Sequence, residues 1–189
     1  MTIPLVRRAV VLTVLLATAL LTTALPGGGL PVAAGQQFQH GDLLTAGGVG
    51  PYRIGHSSLT DLTARGLVTD VQPLATCNGF YSAQATGRYT DRLSLRFQGD
   101  RLVLISTTDP TIRTAVGGRV GLTLDELENR YGPRGEIVNG KWWLRAYLVP
   151  VGGRVVAFFE DPYGPTVYRV AVGERARVLA SFTGGDDQC

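Results

Sequence analysis

The chain has 189 residues, with 18 lysine or arginine residues, 15 aspartate or glutamate residues and a nominal pI of about 9.1. Two of the basic residues, Arg7 and Arg8, and none of the acidic ones lie in the first 34 residues, so 16 basic residues remain against 15 acidic ones. A nearly neutral chain without a lysine or arginine cluster lacks the positive field of a nucleic-acid-binding protein. We therefore expect no nucleic-acid partner.

Residues 1–34 have the pattern of an export signal. Arg7 and Arg8 precede an apolar run at 9–25, a Pro-Gly-Gly-Gly segment breaks it at 26–29, and small residues occupy 32–34. This order is typical of a cleaved signal peptide, and we expect cleavage near Ala34 and a secreted, extracytoplasmic protein without stable membrane insertion. The alternative is an uncleaved anchor, although a membrane-spanning helix usually needs about 20 strongly apolar residues.

The rest of the chain contains two similar stretches. Residues 35–51 are rich in glycine and have no apolar period, which predicts a flexible linker. The pattern of residues 53–62 then recurs at 119–127, and each copy ends near a glycine. A repeat that preserves the order of elements predicts a duplicated unit. We expect repeat unit 1 at 52–117, repeat unit 2 at 118–182 and a C-terminal tail at 183–189.

Each unit is predicted to begin with a helix. Thr123 and Glu126 have the spacing of a capping box, and Leu124, Leu127 and Tyr131 share one helical face. The Gly-Pro pair at 132–133 ends this helix. In the first unit, Ser58 opens a similar but weaker helix that ends at Gly66.

Antiparallel strands are predicted after each helix. Polar and apolar residues alternate at 92–97, and a Gly-Asp turn leads to the next strand. The predicted strands are 92–97, 101–106 and 112–116 in the first unit and 142–149, 154–159 and 167–172 in the second, with 175–182 as an additional candidate. The fold class is α+β, with the helices on one face of the sheet and the other face open.

Cys77 and Cys189 are the only cysteines. An isolated pair in an oxidising compartment usually forms a disulfide, which here would hold the polar C-terminal tail. Two free thiols are the alternative.

Catalytic residue patterns are scarce. His40 and His56 are the only histidines, and His56 stands beside Ser57 and Ser58. Adjacency along the chain does not make a nucleophile and its base a pair, because the fold must bring the two together. No zinc-binding or phosphate-binding motif occurs, so we predict no catalytic residue, no cofactor and no metal.

The candidate binding residues are aromatic. Alternation along 142–147 places Trp143, Arg145 and Tyr147 on one face of a strand. If the opposite face packs on the helices, these three side chains form an exposed row with the composition of a protein-interaction hot spot. The alternative is that Trp143 and Tyr147 cover the join between the units or lie under the tail.

The segment Gly-Leu-Thr-Leu-Asp-Glu-Leu-Glu-Asn-Arg-Tyr-Gly-Pro at 121–133, together with the repeat, resembles a class of secreted bacterial domains. This class includes the small outer-membrane-assembly lipoproteins and, in duplicated form, the beta-lactamase inhibitory protein family. The resemblance covers roughly residues 50–182. It implies a non-catalytic binding role for the sheet face and assigns no individual inhibitory residue.

The combined hypothesis is an exported, non-catalytic module that binds an unknown protein or cell-envelope component through an exposed sheet face. Two alternatives remain. One is a secreted enzyme, such as a hydrolase that uses His56, and the other is a structural protein that binds cell-wall polymer. An enzyme predicts a pocket with polar groups around His56, and wall binding predicts a groove lined by aromatic platforms.

Overall fold

A computed structural model describes residues 43–75, 77–141 and 144–183. The predicted signal peptide, residues 35–42 of the predicted linker, Trp143 and residues 184–189 of the tail, including Cys189, lie outside the described residues. The described residues belong to one compact unit.

The described chain combines short helices with two antiparallel sheets. The strands are β1 (Gly48–Val49), β2 (Tyr52–Arg53), β3 (Val68–Pro73), β4 (Phe80–Ala85), β5 (Ser94–Gln98), β6 (Arg101–Thr107), β7 (Glu136–Asn139), β8 (Arg145–Val151), β9 (Arg154–Glu160) and β10 (Val167–Glu174). The α-helices are α1 (Leu59–Ala64), α2 (Leu124–Tyr131) and α3 (Arg175–Thr183), and short 3₁₀ helices occupy Gly87–Tyr89 and Gly132–Arg134. The α+β fold class is confirmed.

The order of the strands divides the main sheet into two matching halves. Strands β1 and β2 form a small separate hairpin, and the other eight run in the order β3-β4-β5-β6-β10-β9-β8-β7. In each half a helix precedes four strands, and the last strands of the two halves, β6 and β10, pair at the centre. One continuous sheet thus contains both predicted units, and the duplication itself stays a prediction.

The predicted helix caps are present. In α2 the backbone N–H of Glu126 donates to Thr123 Oγ1 at 3.2 Å, while the Glu126 carboxylate accepts from the Thr123 N–H at 2.8 Å. In α1 the Ser58 side chain accepts from the N–H of Asp61. Each helix starts where the sequence predicts because these bonds satisfy backbone donors at its first turn.

Three predicted segments have a different structure. Residues 43–51 are not a linker throughout, because Leu44 and Val49 are each 1% exposed and belong to the core. Residues 112–116 form no strand, and only Arg113 makes an isolated bridge, to Leu43. The candidate strand at 175–182 is helix α3.

Apolar residues form clusters on both faces of the main sheet. Along β8, Tyr147 and Val149 join the cluster that contains the buried side chains of α1 and α2, while Ala146 and Leu148 join a second cluster. The second cluster includes Val178 and Phe182 of α3. Because alternate residues of a strand project to opposite faces, α3 lies on the face opposite α1 and α2. The prediction that all helices share one face is therefore wrong.

Cys77 is buried, and the described part of the chain contains no free cysteine. Its pairing with Cys189, which lies outside the described residues, stays a prediction.

Candidate functional site

His56 lies in an exposed turn before α1, and the neighbouring hydroxyl groups already have structural roles. Ser57 Oγ accepts from the N–H of Arg53 at 2.8 Å, and Ser58 Oγ donates to the Asp100 carboxylate at 2.5 Å. Neither hydroxyl is bonded to the imidazole in the described structure. The sequence neighbours of His56 thus stabilise a turn and a helix cap, which does not favour the hydrolase alternative.

The row predicted from the aromatic segment is not an exposed surface. Tyr147 is only 1% exposed, and its hydroxyl donates to the carbonyl of Gly132 at 3.1 Å. Burial raises the pKa of Tyr147. Arg145 is exposed, but its guanidinium donates two hydrogen bonds, of 2.6 and 2.7 Å, to the Glu160 carboxylate. The prediction that Tyr147 is displayed is therefore wrong.

Tyr147 is buried because α2 covers its face of β8. Its ring lies 6.0 Å from the ring of Tyr131, the last residue of α2, measured between centroids. The predicted alternation correctly placed Tyr147 and Ala146 on opposite faces of β8. The face that carries Tyr147 was predicted to be exposed, and this part of the prediction was wrong. Trp143 lies outside the described residues.

One cross-strand row shows where the face of the sheet that packs against α3 is covered and where it is open. The paired residues, in order across six strands, are Gln84, Ser94, Ser106, Ala171, Ala157 and Leu148. Directly paired residues project to the same face. The three apolar members belong to the cluster under α3, whereas the three polar members lie outside it. The composition of the row changes from polar to apolar at the centre of the sheet.

We call the polar part of this face the open half-face and define it as Ser82, Gln84, Ser94, Arg96 and Ser106. All five side chains are at least partly exposed. Arg177 of α3 borders this area, since its guanidinium donates to the Gln98 side chain at 2.8 Å and lies 5.0 Å from the Phe80 ring centroid. Helix α3 thus covers one side of the face and leaves the polar strands accessible.

A cleft of about 210 Å³ lies at the end of the open half-face. We call it the polar cleft, and its lining residues are Gln84, Asp91, Arg92, Leu93, Ser94, Ser106, Thr107 and Thr108. Strands β4, β5 and β6 supply the paired residues Gln84, Ser94 and Ser106. Leu93 is buried. Polar and apolar atoms thus share the accessible surface of the cleft about equally, and its polar part consists mainly of hydroxyl, amide and charged groups.

Several polar groups of the cleft have no hydrogen-bond partner among the described residues. They are the side chains of Gln84, Asp91, Ser94, Ser106 and Thr108. Ser94 and Ser106 are half-buried, and Asp91 is exposed with a backbone φ of +59°. Aspartate is one of the few residues that adopt this left-handed conformation readily. These side chains can bond to a ligand without breaking a contact within the described fold.

The charge at one end of the cleft is compensated. Arg92 donates to the Asp109 carboxylate and, at 2.6 Å, to the Thr111 hydroxyl. Burial alone would raise the pKa of Asp109, but hydrogen bonds from Thr111 and Arg92 outweigh it and lower that pKa. Because Asp109 and Thr111 hold the Arg92 guanidinium in place, Arg92 is not free to pair with a ligand.

A smaller depression of about 20 Å³ lies beside α3, between Leu74, Cys77, Phe80, Arg96, Val103, Leu104 and Arg177. A cavity of this volume holds about one water molecule. No group of three or more potential metal ligands occurs among the residues that the structure describes.

The comparisons with known proteins do not assign the chain to a family. No protein-family model and no curated protein matches it. Among solved structures, an extracellular protein containing an SCP domain from Bacillus anthracis is 14% identical, with a TM-score of 0.47, and covers 67% of this chain and 45% of its own. A cysteine-rich secretory protein from Staphylococcus aureus is 11% identical, with a TM-score of 0.47, and covers 72% of this chain and 50% of its own.

A third similar structure, a DUF4309 family protein from Bacillus subtilis, is 14% identical with a TM-score of 0.43 and covers 67% of this chain and 84% of its own. The chain spans about half the length of the first two proteins. The resemblance to the duplicated inhibitor class stays a prediction. None of the helices in the described ranges is long and apolar enough to cross a membrane.

The polar cleft was not predicted from the sequence. The alternation of Ser94 and Arg96 with Leu95 and Phe97 indicated that one face of β5 is polar. It did not show that β4 and β6 add further polar groups beside it, because that requires the strand register.

Proposed function

We propose that the protein is an exported, non-catalytic module that binds a protein or a component of the cell envelope through the open half-face. The observation that carries this proposal is the cross-strand row in which polar side chains continue the face that α3 covers elsewhere. A sheet that only supports a core needs one covered face. The polar residues on its outer face then need no particular arrangement. Here three of these residues, Gln84, Ser94 and Ser106, line one cleft, and their side chains form no hydrogen bond within the described fold.

The residues of the cleft support binding rather than catalysis. A catalytic serine needs a base within hydrogen-bond reach, and neither Ser94 nor Ser106 forms a hydrogen bond with Asp91, the one free carboxylate of the lining. The described histidine, His56, lies in the turn before α1. It forms no hydrogen bond with Ser94 or Ser106 in the described structure. The export signal predicted at 1–34 supports a location outside the cytoplasm.

A variant with two added positive charges in the cleft tests the proposal. The variant carries Gln84→Arg and Thr108→Arg, which replace two exposed residues of the cleft and leave the core intact. The matched control carries Thr63→Arg and Asn129→Arg, which add the same charge to exposed positions of α1 and α2. Immobilised full-chain protein is incubated with the envelope and secreted fractions of the producing cells, and the bound material is quantified.

We expect saturable binding by the unmodified protein and by the control, and loss of binding to background in the cleft variant. Circular dichroism of both variants checks that they fold. Equal binding by the folded cleft variant and the control would contradict the proposal.

A further inference from the structure

We infer that the polar cleft binds a neutral, polyhydroxylated ligand, namely a sugar residue of an envelope glycan. This inference rests on the proposed function and names the class of its partner. It follows from the chemistry of the groups that have no partner in the described fold.

The cleft offers hydrogen bonds of both kinds. Ser94, Ser106 and Thr108 have hydroxyl groups that donate and accept, and the amide of Gln84 does both as well. A sugar ring presents hydroxyl groups that also donate and accept, so each can bond to these side chains without a net charge on either partner. The complementarity of these groups to a sugar therefore lies in their hydrogen-bonding capacity.

Asp91 adds the one uncompensated charge of the cleft. Its carboxylate accepts hydrogen bonds at both oxygens, which suits two hydroxyl groups on adjacent carbons of a ring. The same carboxylate repels phosphate and carboxylate ligands, and the cation that could offset it, Arg92, is engaged by Asp109. An anionic ligand is thus disfavoured.

The other ligand classes fit less well. The cores of protein-protein interfaces are enriched in aromatic residues, methionine and arginine and depleted in serine, whereas no aromatic residue lines this cleft. A divalent cation needs several oxygen ligands with charge, and Asp91 is the only free carboxylate in the lining. The cleft volume of about 210 Å³ is below the range of roughly 300–1,000 Å³ typical of sites for drug-sized ligands. It suits one ring of a polymer.

The cleft lacks the aromatic platforms predicted for a wall-binding groove, and this lack predicts weak binding by each site. Stacking of a sugar on an aromatic ring is not available in this cleft, so hydrogen bonds that compete with water supply the affinity. A polymer or a surface with many copies of the sugar would bind more tightly through multiple contacts. We expect oligosaccharides to bind better than single sugars.

The first experiment asks which chemistry of the envelope fraction is recognised. Samples of the fraction are treated with protease or with periodate, which cleaves the carbon-carbon bond between adjacent hydroxyl groups, before incubation with the immobilised full chain. We expect binding to survive protease and to be lost after periodate. Binding that is lost after protease and survives periodate would identify a protein partner and overturn the inference, while the proposed function would stand.

The second experiment measures binding of defined probes by NMR titration of the full chain. The probes are maltohexaose, cellohexaose and mannohexaose, with polygalacturonate as an anionic comparison. We expect shifts of the cleft amides with at least one neutral probe and a weaker response to polygalacturonate. Stronger binding of the polyanion, or no response to any neutral probe together with periodate-resistant binding, would contradict the inference.

Asp91→Asn is the decisive variant because asparagine also adopts the left-handed conformation, so the backbone is preserved. Its matched control is Asp70→Asn, which replaces another exposed aspartate with positive φ, on β3 and outside the cleft. We expect the affinity for the best neutral probe to fall about tenfold or more in Asp91→Asn, since bonds to a charged group are the stronger ones. The Asp70→Asn affinity should be unchanged, and equal affinities in the two variants would exclude a role for Asp91.

Discussion

Ser58 and Asp100, which are 42 residues apart, are joined by a hydrogen bond of 2.5 Å that ties the first helix to the turn between β5 and β6. The same carboxylate accepts from the backbone N–H and the hydroxyl of Thr60, at 2.8 and 2.9 Å. In the second half of the sheet, Thr123 instead forms its capping box with Glu126 of its own helix. One half therefore anchors its helix through a distant hairpin and the other through a local contact.

Loss of the Asp100 carboxylate should lower thermal stability. Asp100→Asn keeps the size of the side chain but weakens the bonds to Ser58 and Thr60, so α1 is held less firmly. We expect a lower Tm in a thermal melt at pH 7 than for the unmodified protein. The matched control Asp125→Asn changes an exposed carboxylate in the first turn of α2 and should have a smaller effect.

The unmodified protein and Asp100→Asn should also differ in how their thermal stability depends on pH. Hydrogen bonds from Ser58 and Thr60 lower the pKa of Asp100. A group with a lowered folded-state pKa stabilises the fold above its unfolded pKa, which is about 3.9 for aspartate, and loses this contribution as the pH falls through the folded value. The difference in Tm between unmodified protein and Asp100→Asn should thus be constant near neutral pH and shrink below about pH 4. A difference that grows on acidification would contradict this assignment.

Tyr147 should contribute to stability rather than to an exposed surface. Its ring is buried beneath α2, and its hydroxyl donates to Gly132. Tyr147→Ala should cost about 3–5 kcal/mol of unfolding free energy, in the range for large aromatic residues of a core. Tyr147→Phe should cost about 1 kcal/mol through the lost hydrogen bond.

Urea unfolding measures both values, and Tyr163→Ala is the control. Tyr163 is 97% exposed, so the same substitution there should change the unfolding free energy by no more than about 0.5 kcal/mol. Similar values for Tyr147→Ala and Tyr163→Ala would show that Tyr147 is not a core residue.

Gly135 should be intolerant of a side chain because of its contact with the same tyrosine. A Cβ at Gly135 would overlap two ring carbons, Cζ and Cε1, and the hydroxyl oxygen of Tyr147. Tyr147 is only 1% exposed, so its ring has little room to shift. Gly135→Ala should therefore destabilise the protein by about 1–3 kcal/mol, the usual cost of overpacking.

Gly153→Ala is the control for this prediction, since a Cβ there meets nothing within 4 Å. It should be close to neutral in the same urea experiment. If Gly135→Ala were also neutral, the packing of Tyr147 against the turn at Gly132 would have to be looser than described.

Several predictions that depended on neighbouring residues agree with the structure, although the strands predicted at 112–116 and 175–182 do not form. The capping box of Thr123 and Glu126 and the cap at Ser58 are confirmed, because these bonds connect atoms three residues apart. Alternation along Ser94 to Phe97 correctly indicated a half-buried strand for the same reason. The general α+β class follows from such local patterns.

The predictions that depended on distant residues were less successful. Alternation divides β8 into two sets but does not say which set meets α2, so Tyr147 was assigned to the wrong face. The linker prediction failed at Leu44, whose backbone N–H donates to the carbonyl of Arg113, a residue far along the chain. Composition cannot reveal such a pairing.

The amino-acid sequence by itself determined the starts of α1 and α2, the polar and apolar sides of individual strands and the near-neutral charge of residues 35–189. These properties depend on local hydrogen bonds and on side-chain period. Only the tertiary structure decided which parts of the sheet are covered, because that depends on α3 crossing the second half of one face while leaving Ser94 and Ser106 open. The register of three strands then brings separate polar residues to one cleft, which no local pattern could place.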